Sequence, residues 1–92
     1  TYQERLVIDD VWFKSSPPRD IKISVYNCGK IPITIDAVYI NNDLVLSNLN
    51  ISVDVKEDST ITVSGYAWSH GAPYLIKLAT SRGTTYESLW KP

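Results

Sequence analysis

The sequence predicts an all-β fold, an immunoglobulin-like sandwich of two antiparallel sheets with about seven or eight short strands. Three observations carry that expectation. Apolar residues recur at alternate positions through most of the stretch from Leu6 to Trp90, the spacing that puts them on one face of a strand. No window of about eleven residues sustains the i, i+3, i+4, i+7 pattern of an amphipathic helix. Turn-forming residues interrupt the alternation roughly every 8 to 12 residues, the interval of a small sandwich.

The first strand is read from Arg5 to Lys14. Leu6 and Ile8 share one face, and a phase slip at Asp9-Asp10 hands that face to Val11 and Phe13, as a β-bulge does. Ser15 to Asp20 holds Pro17 and Pro18, which remove two ladder donors and make a turn. Ile21, Ile23 and Val25 then alternate with Lys22, Ser24 and Tyr26, the pattern of a sheet with one dry and one wet face. Asn27-Cys28-Gly29-Lys30 ends that strand, with Gly29 expected at positive φ.

From Ile31 to Ile40 the inward positions are Ile33 and Ile35, then, after a second slip at Asp36-Ala37, Val38 and Ile40. Pro32 suits a strand start or an edge. Asn41-Asn42-Asp43 tolerates the left-handed backbone of a hairpin, and Leu44-Val45-Leu46 is a short return strand. Leu49, Ile51, Val53 and Val55 alternate with polar residues, Lys56-Glu57-Asp58-Ser59 turns the chain, and Thr60 to Ser64 is the next strand. A loop from Gly65 to Gly71 precedes a hairpin of Pro73 to Thr80 and Thr84 to Trp90 around Ser81-Arg82-Gly83. Ile23, Val25, Ile35, Val38, Ile61, Ile76 and Leu78 are the expected core.

Ninety-two residues, 43% hydrophobic and 21% charged, make one globular domain spanning 1–92. Nine basic residues nearly balance ten acidic ones and are scattered, which gives no footprint for a phosphate backbone and argues against nucleic acid. No stretch approaches the ~18 apolar residues that span a bilayer, and Thr1 to Arg5 lacks the layout of a signal peptide. Cys28 is the only cysteine, so no disulfide forms within the chain and cysteine usage leaves the compartment open.

The Gly65 to Tyr74 segment has the densest aromatic cluster and the only histidine, His70. Tyr66, Trp68 and Tyr74 are the candidate binding residues, since exposed aromatic rings offer a contact surface to a protein or a sugar. The alternative for Trp68 is that it folds back and plugs the end of the sandwich. His70 has no metal-spaced companions, and a solvated loop histidine is the expectation; Ser69 beside it is no hydrolase signal, because no nucleophile elbow surrounds it. Asp9-Asp10 is explained by a bulge and Asn41-Asn42-Asp43 by a hairpin rather than by acid/base chemistry or calcium. Asn50-Ile51-Ser52 matches the N-glycosylation acceptor pattern, with Asn50 expected to face outward. Cys28, in a turn, is either exposed and open to an intermolecular disulfide or a small buried hydrophobe. No catalytic residue, metal ligand or cofactor site is expected.

Four segments, Leu6 to Phe13, Ile23 to Lys30, Ala37 to Asn41 and Leu78 to Thr84, resemble the soluble domains of pilin-like and archaellum-associated proteins of archaeal envelopes. The resemblance rests on strand and turn patterns and includes no catalytic residue. It implies a β-sandwich projecting from a membrane, preceded in the parent protein by a hydrophobic assembly helix that would end just before Thr1. The resulting expectation is a non-catalytic, extracytoplasmic binding or assembly domain at the cell surface. Its partner would be protein, either itself or an envelope or filament component, with membrane contact only through a segment outside these residues. The alternative is a carbohydrate-binding module using Trp68 and its neighbouring tyrosines.

Overall fold

The computed structural model describes residues 5–15 and 20–92. Every regular element among them is a strand: β1 (Leu6–Phe13), β2 (Ile21–Asn27), β3 (Ile33–Ile40), β4 (Asp43–Leu46), β5 (Ile51–Val53), β6 (Asp58–Val63), β7 (Tyr74–Thr80) and β8 (Thr85–Trp90). One sheet has the order β1-β2-β6; the other has the order β4-β3-β7-β8, with β5 also paired to β3. All pairs are antiparallel. This is the immunoglobulin-like sandwich that the alternation predicts.

Both expected phase slips are register shifts. The β1–β2 register slips between Ile8 and Asp10, where the Val11 N–H donates to Asp10 Oδ1 at 2.9 Å. The β3–β7 register slips between Ile35 and Ala37. An extra residue at each point swaps the faces of everything after it, and that is how Leu6 and Val11, or Ile35 and Val38, reach the same core. The seven expected core residues are all 2% exposed or less.

The turns follow the residues. Asn41 and Asn42 take φ of 52° and 67°, left-handed values that asparagine tolerates better than most residues, and the hairpin closes there. The turn expected at Pro17 and Pro18 lies outside the described residues; on either side of it Lys14 N–H donates to the Asp20 carbonyl at 2.9 Å.

Two expectations are corrected. Gly29 is not among the glycines with positive φ, which are Gly65, Gly71 and Gly83; the turn is instead held by the Asn27 side chain, whose Oδ1 accepts from Gly29 N–H at 2.9 Å. The strand expected from Leu49 to Val55 shrinks to the three residues of β5. Asn48 and Asn50 on one side and Lys56 on the other sit at φ of 54°, 51° and 62°, which stops the extended backbone at both ends. Thus β4 and β5 follow one another along the same edge of β3, β4 against Val38 to Ile40 and β5 against Ile33 to Ile35.

Asn27 does more than end a strand. It is fully buried, and its Nδ2 donates to the carbonyls of Ile31 and Val53, each at 2.9 Å. One amide therefore ties the end of β2, in the smaller sheet, to β5 in the larger one.

Candidate functional site

The 64–73 loop joins β6 to β7 and crosses from one sheet to the other at the end of the sandwich opposite Asn27. Tyr74, the first residue of β7, reaches back along it: its hydroxyl accepts from Ser69 N–H at 2.8 Å and lies 3.4 Å from the Ser69 carbonyl, to which it donates. A tyrosine at this corner, bonded to backbone a few residues upstream, is a recurrent device of immunoglobulin-like sandwiches. It pins the loop down, and Trp68 goes inside with it.

Trp68 is only 3% exposed. Its ring meets Phe13 edge-on at 5.3 Å and 64°, and His70 at 5.1 Å and 80°. Phe13 also packs on Tyr74 at 5.7 Å, and Tyr66 meets Tyr74 edge-on at 6.2 Å and 84°. Of the three residues expected to form a binding surface, Trp68 and Tyr74 are thus core residues that close the sandwich, because their rings fill the gap between the two sheets. Only Tyr66 is partly open to solvent. Its burial, the Asp43 carboxylate and Tyr74 together push its phenol above the ordinary tyrosine value, since each disfavours a phenolate. The loop does not offer the exposed, coplanar pair of rings that a sugar platform of Trp68 and a tyrosine requires.

The remaining candidates sit apart from one another. His70 and Ser69 are exposed on the loop, and Asp9 and Asp10 are exposed at the bulge of β1. Asn41 is occupied structurally: its N–H donates to the Leu75 carbonyl and its Oδ1 accepts from Leu75 N–H, both at 2.9 Å. Asn50 is exposed just ahead of β5, at the start of the Asn-Ile-Ser acceptor pattern. Cys28 is exposed as well, with its thiol 3.7 Å from the Arg5 carbonyl. Among the described residues no three His, Cys, Asp or Glu side chains gather where they could hold a metal ion.

The exposed aromatic residue that the sequence reading passed over is Trp12, 65% exposed on the outer face of β1. Its position follows from the bulge: once Val11 and Phe13 face inward, Trp12 must face out. Across the ladder it lies opposite Lys22, and Asp10 lies opposite Ser24. Together with Thr60, these residues line an open groove of about 280 Å³.

The outer face of the larger sheet carries a second feature. Tyr39 pairs with Leu44 on one side and Lys77 on the other, and Leu75 pairs with Leu89. Leu44 is 54% and Leu89 66% exposed, and the Lys77 ammonium lies 5.8 Å from the Tyr39 ring centroid, within cation–π range. Two apolar pairs therefore lie on this face, Leu44–Tyr39 across β4 and β3 and Leu75–Leu89 across β7 and β8, with Lys77 and Glu87 continuing the row from Tyr39.

Comparison of the sequence with protein-family models and with curated proteins finds no match.

Proposed function

We propose that the chain is a non-catalytic contact domain of a cell-surface or filament-associated protein, held outside the cytoplasm and working through its outer sheet faces and strand edges. The observation that carries this reading is the pair of apolar contacts on the outer face of the larger sheet, Leu44 with Tyr39 and Leu75 with Leu89, where Leu44 is 54% and Leu89 66% exposed. Apolar surface left in water forgoes about 25 cal/mol per Å², and a patch that crosses several strands is typical of surface that a partner covers. The likeness of four strand and turn segments to archaeal envelope domains supports the location and suggests an envelope or filament component, or another copy, as partner. Attachment to a membrane then belongs to a segment outside these residues.

The test is a photo-crosslinking residue placed at Leu89 in the whole gene product in cells, with a control at exposed Thr84 in the β7–β8 turn. A membrane-impermeant label should reach the protein, and crosslinks to an envelope component or a second copy should form from position 89 and not from 84. A protein shielded from the label defeats the location, and equal crosslinking from both positions defeats the contact face.

Trp12 favours a second reading, carbohydrate contact on the smaller sheet. An exposed indole beside a carboxylate, an ammonium and two hydroxyls in one groove matches the mixed apolar and hydrogen-bonding character of a pyranose ring. Oligosaccharide titration followed by tryptophan fluorescence should then show binding that Trp12→Ala abolishes at unchanged melting temperature. A titration silent up to millimolar sugar removes this reading.

A further inference from the structure

The strands that end the two sheets present unequal edges. The open edge of β1 is broken by a register slip; that of β8 is six residues long, carries Glu87, and looks across a groove at Arg5 to Ile8 of the β1 side, the two strands approaching within 8 Å between Cα atoms. On the far edge of the larger sheet, β4 and β5 have four and three residues, separated by Asn48 and Asn50 in left-handed conformation, which breaks any continuous row of amides. The edge of β6 is different. It runs for six residues, Asp-Ser-Thr-Ile-Thr-Val, in unbroken register with β2 from Tyr26↔Asp58 to Ile21↔Val63. Among the described residues it has no ladder partner on its other side. Bulges, prolines, charged side chains and short length are the usual means of blunting an edge; of these β6 has only the carboxylate of Asp58, at its first position.

The phase of the ladder says which groups are free. Asn27 N–H donates to the Glu57 carbonyl at 3.0 Å, and Lys56 N–H to the Asn27 carbonyl at 2.9 Å, so alternate residues of β2, Val25, Ile23 and Ile21, also turn their amides toward β6. Their partners are Ser59, Ile61 and Val63. By the alternation of an antiparallel ladder, the N–H and C=O groups of Asp58, Thr60 and Thr62 point away from the sheet.

We propose that this edge pairs with the same edge of a second copy, antiparallel about a two-fold axis at Ile61, joining the two smaller sheets into one. The proposal rests on the contact reading above and names a partner and a register for it. Paired residues must share a face and must both have outward amides. Centring on Ile61 satisfies both conditions: Thr60 of one copy exchanges N–H···O bonds with Thr62 of the other on the outer face. On the core side Ile61 meets Ile61, and Ser59 meets Val63. Threonine pairs across strands are favourable, Asp58 falls opposite Ser64, and no like charges oppose one another. The contact is isologous and closes on itself.

Sedimentation between micromolar and millimolar protein, with amide hydrogen exchange, tests it. The mass should rise from that of a monomer toward twice that value, and the Thr60 and Thr62 amides should become protected with increasing concentration. Thr62→Pro removes an outward donor without touching the bonds to β2, which an edge strand tolerates; it should keep its melting temperature and stay monomeric. If that variant fails to fold, Thr60→Lys with Thr62→Lys replaces it and should give the same loss of dimer. Wild-type protein that stays monomeric at millimolar concentration overturns the pairing alone, since the contact reading is judged by crosslinking from position 89. A dimer that survives Thr62→Pro but is lost in Leu89→Ser overturns the β6 pairing and leaves the contact face standing.

Discussion

At one end of the sandwich the 64–73 loop is held down by rings, with Trp68 against Phe13 at 5.3 Å and Phe13 against Tyr74 at 5.7 Å. At the other end, two sheets and a turn converge on the single side-chain amide of Asn27, with bonds of 2.9 Å to Ile31, Val53 and Gly29. Both residues at the centre of these closures are buried, Trp68 at 3% exposure and Asn27 at 0%. The aromatic closure draws on apolar area and tolerates adjustment of ring positions. The amide closure draws on three directional bonds and tolerates little. Of the aromatic residues in and beside that loop, Trp68 and Tyr74 are buried and close the sandwich, while Tyr66 stays partly open to solvent.

The sharpest way to break this comparison is Trp68→Ala. If the indole is the plug, its loss leaves a cavity against Phe13 and costs about 3–5 kcal/mol, a large part of the stability of a domain this small. Urea unfolding monitored by circular dichroism measures it. A loss below about 1 kcal/mol would mean that the indole does not hold the loop and would return Trp68 to the candidates for binding.

Asn27→Ala probes the other end. It strands the buried Val53 carbonyl and the half-buried Ile31 carbonyl, while the Gly29 N–H keeps the Arg5 carbonyl at 3.1 Å; at about 1–3 kcal/mol for each stranded group, the expected net loss is about 2–4 kcal/mol. Asn27→Asp should be no better, because it keeps the acceptor for Gly29 but sets a negative charge against the carbonyls of Ile31 and Val53. The same unfolding experiment decides: an Asp variant as stable as wild type would show that the Nδ2 bonds contribute little.

These two ends also differ in how far the sequence discloses them. Period-two alternation reveals the core and both bulges, because moving the inward face from Ile8 to Val11, or from Ile35 to Val38, leaves a visible break in the apolar pattern. Trp12 is equally legible, since the same break that turns Phe13 inward turns Trp12 outward, whereas the aromatic density of the 65–74 segment carries no information on which way its rings face. Asn27 was not legible. An asparagine before Cys28-Gly29 reads as turn chemistry, and its role depends on the carbonyl of Val53, 26 positions away, which only the folded chain brings near. The fate of Tyr66, Trp68 and Tyr74 was likewise beyond composition: exposed and buried rings look alike until the Tyr74 hydroxyl is seen to bond Ser69.

The smallest expected effect isolates that hydroxyl. Tyr74→Phe keeps the ring that packs on Phe13 and Tyr66 and deletes only the bonds to Ser69, of which the one accepted from N–H is the shorter at 2.8 Å. Ser69 is exposed, so water can replace the lost partner, and the loss should sit near 1 kcal/mol. It should also be local. The Ser69 amide should exchange faster by up to about tenfold, the factor that corresponds to 1.4 kcal/mol, while core amides such as those of Ile23 and Leu78 slow or quicken only with global stability. If Tyr74→Phe instead loosens the whole chain as much as Trp68→Ala, then the hydroxyl and not the indole closes this end. Both ends of the sandwich would then depend on directional bonds, and the contrast between them would disappear.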